Sequence, residues 1–171
     1  IYLANLGTAS TLTLRRSLVV GNTAVSDGGG IFVFGGTATI ENSTIANNLA
    51  AAGTSGGLAI QNSSAGVASV AMTHVTVAYN RAASNGGGMT LISGNLSLKN
   101  SLLAGNVAPP NTDLQASFTS LGYNLVQTRG SSSGYVAADL ANGSNPNIAV
   151  VAFIGGPTSA ILPGIGSPAI D

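Results

Sequence analysis

The stretch Leu12-Thr13-Leu14-Arg15-Arg16-Ser17-Leu18-Val19-Val20-Gly21-Asn22-Thr23-Ala24 decides the reading of this chain, because its pattern returns three more times. Ten residues before each of Asn22, Asn48, Asn80 and Asn106 stands Leu12, Ala38, Val70 or Leu96. Eight before stands Leu14, Ile40, Met72 or Leu98, and three before stands Val19, Ile45, Val77 or Leu103. Two residues after each asparagine comes an alanine: Ala24, Ala50, Ala82 and Ala108. Three copies then reach a glycine cluster that includes Gly29 and Gly30, Gly56 and Gly57, or Gly87 and Gly88. An apolar alternation follows each cluster: Ile31/Val33, Leu58/Ile60 and Met89/Leu91.

The asparagines are spaced by 26, 32 and 26 residues, the length of one coil of a solenoid rather than of a domain. Within a coil the apolar residues alternate with period two, as in Leu12/Leu14 and Ile31/Val33, which predicts short strands with one face inward. No 3.6-residue pattern of useful length competes. Coils related by a single translation pair their strands in parallel and in register. The expected fold is therefore all-β: a parallel β-helix, or β-solenoid, with three short strands per coil and a rung spacing of about 4.8 Å. Residues 1–126 are expected to form the coils, and the Pro- and Gly-rich residues 127–171 an irregular segment that packs on or caps the same solenoid.

Each recurring polar residue has a physical reason. A stacked Asn at a turn can adopt the left-handed conformation and hydrogen-bond the amides above and below it, so Asn22, Asn48, Asn80 and Asn106 are expected to form an inward ladder. The glycines are expected to turn the chain with positive φ where a Cβ would strike the next coil. Arg15, Glu41, Thr73 and Lys99, each seven residues before an asparagine, form one outward column. That column predicts that Arg15 and Glu41 face each other.

Composition narrows the function classes. Charged residues make up 6% of the chain, with five basic and five acidic side chains, against about 25% in ordinary globular proteins. Only Arg15 and Arg16 are adjacent, so nucleic-acid binding through clustered cations is not expected. The longest apolar run, residues 148–154, is too short for a membrane-spanning helix. With no cysteine, disulfides and thiolate metal sites are excluded. Tyr2, Phe32 and Phe34 are expected to leave an outward apolar patch, covered by the C-terminal strap through residues 150–153 or by another molecule. The chain opens on a strand residue in mid-coil. Its first rung is expected to be covered by upstream coils or by the far end of an identical molecule, a contact that would grow a filament.

The repeat phrase, together with Ser120-Leu121-Gly122-Tyr123-Asn124-Leu125, Gly155-Gly156-Pro157-Thr158 and the closing Gly166-Ser167-Pro168-Ala169-Ile170-Asp171, resembles the choice-of-anchor Q group of bacterial β-helix surface proteins. That resemblance covers nearly the whole chain and implies a right-handed parallel β-helix, secretion and a role in surface display or adhesion. It brings no catalytic residue with it. This chain departs from the group in having no cysteine pair near the Ser120–Leu125 motif, and Asn145-Pro146 where Asp-Pro is common.

Catalytic and binding signals are sparse. Polysaccharide-cleaving β-helices need carboxylates about 5–9.5 Å apart, and Asp27, Glu41, Asp113, Asp139 and Asp171 show no such cluster in repeat register, with Asp27 and Asp113 at one corner but some three coils apart. The Gly-x-Ser-x-Gly matches at 53–57 and 130–134 lead into no helix, which a nucleophile elbow requires. His74 falls in a corner column with Arg16, Asn42 and Asn100 and reads as a solvated corner residue. Asp27, Ser55 and Asn85 precede the glycine turns, where Asx turns account for them without calcium. Asn42, Asn62, Asn95 and Asn142 begin Asn-x-Ser/Thr sequons and are the candidate glycosylation sites. A flat threonine array suited to ice is hinted at by Thr11/Thr13 and Thr37/Thr39, but the column of Thr44 and Thr76 ends in Leu18 and Leu102. The sequence-based expectation is a non-catalytic extracellular or cell-surface module, structural or adhesive, that needs no cofactor or metal. Its partners are expected to be further copies of itself and a glycan or cell-surface ligand. The alternative is a carbohydrate-binding or carbohydrate-cleaving β-helix.

Overall fold

The computed structural model describes residues 1–109, 113–141, 143, 145–152 and 160–170. Among them no helix occurs, and every pair of strands is parallel. The fold is a parallel β-helix. Sheet A stacks Tyr2–Ala4, Ile31–Phe34, Leu58–Gln61, Met89–Leu91 and Leu114–Gln115. Sheet B stacks Thr11–Arg15, Gly36–Glu41, Ala68–Thr73, Asn95–Lys99 and Thr119–Ser120. Sheet C stacks Leu18–Val20, Thr44–Ala46, Thr76–Ala78, Leu102–Ala104, Leu125–Val126 and Leu140–Ala141.

A fourth, shorter sheet D of Thr23–Ala24, Leu49–Thr54 and Arg81–Ser84 corrects the expectation of three strands per coil. Its inward residues are alanines, and Ala50, Ala82 and Ala108 form a small core cluster of their own. Alanine gives too weak an alternation for a two-residue period to be read from sequence.

The main core is built from columns of stacked apolar side chains. Ile31, Leu58, Met89 and Leu114 come from sheet A, Ile40, Met72 and Leu98 from sheet B, and Ile45, Val77, Leu103 and Val126 from sheet C, all essentially without solvent contact. Burying each of the larger ones stabilises the fold by about 1.5–3 kcal/mol. Register follows the repeat: Arg15 pairs with Glu41, Glu41 with Thr73 and Thr73 with Lys99.

The segment after Val126 adds to the stack. Ser133 bridges Ser117 in parallel, and Leu140–Ala141 pairs with Leu125–Val126. Tyr135 meets Phe118 edge-on with ring centres 5.0 Å apart, and the Arg129 guanidinium lies 5.0 Å from the centre of the Tyr135 ring, so a partial rung closes this end of the core. Beyond it the chain folds back, with antiparallel bridges between Ile148 and Pro163 and between Ala152 and Ala160. Ile148, Val151 and Ile161 pack on Ala46, Ala78 and Tyr79. The fold-back therefore lies over the outer face of sheet C.

Candidate functional site

Three kinds of corner give the coils their shape, and two of them obey one rule. Arg16, Asn42, His74, Asn100 and Tyr123 stack at the corner between sheets B and C with φ of 48°, 48°, 54°, 48° and 59°. Gly21, Asn47, Tyr79 and Gly105 stand at the corner after sheet C with φ of 68°, 53°, 57° and 67°. At each corner one left-handed residue turns the chain, and the next residue carries the hydrogen-bonding side chain, save after His74, where Val75 stands. This corrects the expectation that the ladder asparagines are themselves left-handed: the residue before each of them takes that conformation. The asparagine is thereby left free to aim its amide along the stack.

The ladder is continuous. Asn22 Nδ2 donates to Asn48 Oδ1 at 2.9 Å, Asn48 Nδ2 to Asn80 Oδ1 at 2.9 Å, and Asn80 Nδ2 to Asn106 Oδ1 at 2.9 Å. Each of these oxygens also accepts the backbone N–H of the preceding asparagine. The second amide hydrogens go to carbonyls of the coil before: Asn48 to Val19, Asn80 to Ile45 and Asn106 to Val77. Asn48, Asn80 and Asn106 are buried, and Asn22 is exposed.

Asp113 ends this column. Its Oδ1 accepts the N–H and Nδ2 of Asn106, both at 2.8 Å, and its Oδ2 accepts the N–H of Thr128 at 2.8 Å. A carboxylate suits the position because both of its oxygens accept, whereas an amide would present hydrogens to the Thr128 N–H. Burial pushes the Asp113 carboxyl above its ordinary value, against the lowering effect of the hydrogen bonds from Asn106 and Thr128.

A second column runs along the corner of sheets B and C. Ser43 Oγ accepts the Ser17 N–H, Ser101 Oγ accepts the Val75 N–H, and Asn124 Oδ1 accepts the Ser101 N–H. Val75 interrupts it and joins the core instead. Asp139 ends it as Asp113 ends the first: Oδ1 takes the N–H and Nδ2 of Asn124, and Oδ2 takes the Val136 N–H. Burial works to raise this carboxyl too, but the hydrogen bonds from Ser120, Val136 and Asn124 outweigh it and hold the group below its ordinary value.

The glycine corner works differently from expectation. Gly28, Ser55 and Asn85 are left-handed there, with φ of 67°, 58° and 48°, whereas Gly29, Gly30, Gly56, Gly57, Gly87 and Gly88 do not have positive φ. These six are required by close approach. A Cβ on Gly29 would stand 2.5 Å from the Leu49 carbonyl, and one on Gly56 would run into the backbone of Arg81.

The other sequence candidates lie apart. Ile31 and Val33 are fully buried, while Phe32 and Phe34 face outward, with ring centres 5.6 Å between Tyr2 and Phe32 and 5.9 Å between Phe32 and Phe34. The described part of the strap packs on sheet C, away from this sheet A patch, and Phe153 lies outside the described residues. Asn42 is exposed at a left-handed corner and Asn95 is exposed on sheet B, whereas Asn62 is partly buried and its Oδ1 accepts the Ala68 N–H at 2.9 Å. Asn142 lies outside the described residues. Asp27 Oδ1 accepts the Thr54 N–H at 2.7 Å, and among the described residues no three His, Asp or Glu side chains gather as a metal site. Asp113, expected beside the glycines, has its backbone there but its carboxylate in the ladder.

One groove stands out that the sequence did not indicate. It has a volume of about 470 Å³ and runs between the outer face of sheet C, at Thr76 and Leu102, and the C-terminal segment at Ile161 and Pro163. Tyr123, 72% exposed, stands at its side. Comparison with protein-family models, curated proteins and solved structures finds no match to this chain.

Proposed function

We propose that this chain is a non-catalytic structural or adhesive β-helix module that works outside the cell or on its surface. The observation that supports this reading most is where its acidic groups are spent. Glu41 pairs with Arg15, Asp27 holds the Thr54 N–H, and Asp113 and Asp139 end the two ladders. All four described carboxylates serve the stacking of coils, as a rigid display element requires. The resemblance of the terminal motif to the choice-of-anchor Q surface proteins points the same way. Further copies of the chain, meeting at the Tyr2, Phe32 and Phe34 patch or end to end in a filament, and a surface glycan are the partners that fit this role.

Beads coated with the purified chain should adhere to cell-wall surfaces or to one another above the level of albumin-coated beads. Incubation with polysaccharides should release no new reducing ends or unsaturated products. Adhesion at the albumin level, or product release, would overturn the reading. Of the carbohydrate-binding or carbohydrate-cleaving alternative, the binding half is favoured by one specific observation, the groove beside Tyr123, and it is compatible with the adhesive role.

A further inference from the structure

Two tyrosines sit in left-handed corner positions, and only one of them gains structural contacts that account for it. Tyr79, at φ 57°, donates its hydroxyl to the Ile148 carbonyl at 2.8 Å and packs against the C-terminal segment. Gly105 on the next coil leaves room for its ring, since a Cβ there would stand 2.8 Å from the Tyr79 ring. Tyr123, at φ 59°, has its ring 72% exposed. Arg16, Asn42, His74 and Asn100 hold the same place on the other coils, so bulky side chains are accepted there, while asparagine takes positive φ with the least strain. Tyr123 differs from Tyr79 in that its hydroxyl makes no hydrogen bond among the described residues, so a return on its exposed ring would come from outside the folded chain.

Its surroundings indicate what that return is. The groove at its side falls within the ordinary size range of small-ligand sites, about 300–1,000 Å³. Leu102, Leu140 and Pro163 give it apolar wall, while Thr76 brings a hydroxyl and Asn100 an amide whose nitrogen lies 2.9 Å from His74 Nε2 and whose oxygen accepts no hydrogen bond from the described residues. Among the described lining residues there is no Asp, Glu, Lys, Arg or His. An aromatic face next to apolar wall and uncharged hydrogen-bonding groups matches a sugar ring, which presents a C–H face and a rim of hydroxyls. The missing charge disfavours a uronate or a phosphate, whose burial would need a paired cation.

We propose that this groove binds a neutral polysaccharide, with Tyr123 as the platform on which a sugar ring stacks. The inference rests on the adhesive reading above and names its ligand class. It is tested by affinity electrophoresis through gels containing hydroxyethylcellulose, xyloglucan, dextran or soluble starch, with polygalacturonate as the anionic control, using the wild type and Tyr123→Asn. At least one neutral polymer should retard the wild type more than polygalacturonate does. Tyr123→Asn, which puts the residue type of Asn42 and Asn100 at the same corner, should melt no lower than the wild type and lose at least about tenfold in affinity, the scale of one stacking contact. No retardation by any neutral polymer, equal retardation of Tyr123→Asn, or a preference for polygalacturonate would overturn the proposal. If beads still adhere while the neutral polymers leave mobility unchanged, the groove assignment fails and the adhesive reading stands. If adhesion is also absent, both fail.

Discussion

The two polar columns share one construction but differ in how many donors each member meets. In both, a left-handed residue turns the corner, the next residue bonds along the stack, and an aspartate takes the last donors with Oδ1 while Oδ2 holds a backbone N–H from the following segment. The column ending in Asp113 is made of amides that each satisfy two donors, and from Asn48 onward it is buried. The column ending in Asp139 is mostly hydroxyls, is broken at Val75, and ends at a half-buried carboxylate. Ser43 and Ser101 are buried too, and each hydroxyl accepts one N–H from the coil before while donating to the carbonyl two residues back in its own coil, so the difference teaches that a hydroxyl suffices where a single backbone donor has to be met. Where a backbone N–H and a side-chain N–H converge, an amide accepts both and still donates along the stack, and each buried group left orphaned costs about 1–3 kcal/mol.

The sharpest way to break this comparison is to remove one member from each column. Asn80→Ala takes the acceptor from the Asn48 N–H and Nδ2 and the donor from the Ile45 carbonyl, all buried, and should lower unfolding stability by about 3 kcal/mol. Asn124→Ala orphans the Ser101 N–H and the Leu98 carbonyl keeps only the N–H of Leu121, for a loss of about 2 kcal/mol. Ser43→Ala, where Ser17 is partly exposed, should stay below about 1 kcal/mol. Urea denaturation of the three variants gives the order directly. Equal losses for Asn80→Ala and Ser43→Ala would remove the number of donors met as the distinguishing factor.

Acid should separate the columns by sign. The Asp139 carboxyl is held below its unfolded value of 3.8, so the stability it contributes is present above that value and is lost as pH falls through the lower, folded pKa. Asp113 is shifted the other way: its ionised form is disfavoured in the fold, so stability is gained as pH falls through its raised pKa toward 3.8. Asp139→Asn should therefore flatten the acid loss, and Asp113→Asn should remove the opposing gain and steepen it. Urea midpoints between neutral pH and about pH 3 test both. The same change of slope in the two variants would contradict the opposite shifts.

Much of this fold was legible because period-two apolar residues and a fixed coil length specify backbone position. The columns of Ile45, Val77 and Leu103, the pairing of Arg15 with Glu41 and the stacking of the asparagines all follow from position alone. What escaped depends on the reach and direction of a side chain. Asp113 sits at the glycine corner by its backbone, where the Met89 N–H donates to its carbonyl, yet its carboxylate extends into the ladder. An acid soon after the last asparagine was the signal, but the repeat phrase has already degraded there. The left-handed residues before the ladder were read one position late because the ladder asparagines are themselves a type that favours that conformation, and Tyr79 breaks the column of Gly21, Asn47 and Gly105 that announces it. The groove beside Tyr123 joins coil residues such as Thr76 and Leu102 to Ile161 and Pro163 of the C-terminal segment, which no repeat alignment brings together.

The smallest expected effect lies on the open surface, where the contrast with the ladders is greatest. Arg15 Nε stands 2.9 Å from Glu41 Oε2, with the two side chains 66% and 34% exposed. Water already solvates both charges and salt screens their attraction, so the pair adds only about 0–1 kcal/mol. Arg15→Ala should move the urea midpoint barely at all and lose even that shift at high salt. Placing a second carboxylate there with Arg15→Glu should be worse than alanine, since like charges then oppose across the rung. A loss for Arg15→Ala as large as that for Asn80→Ala would mean that surface register, rather than the buried amide column, holds these coils together.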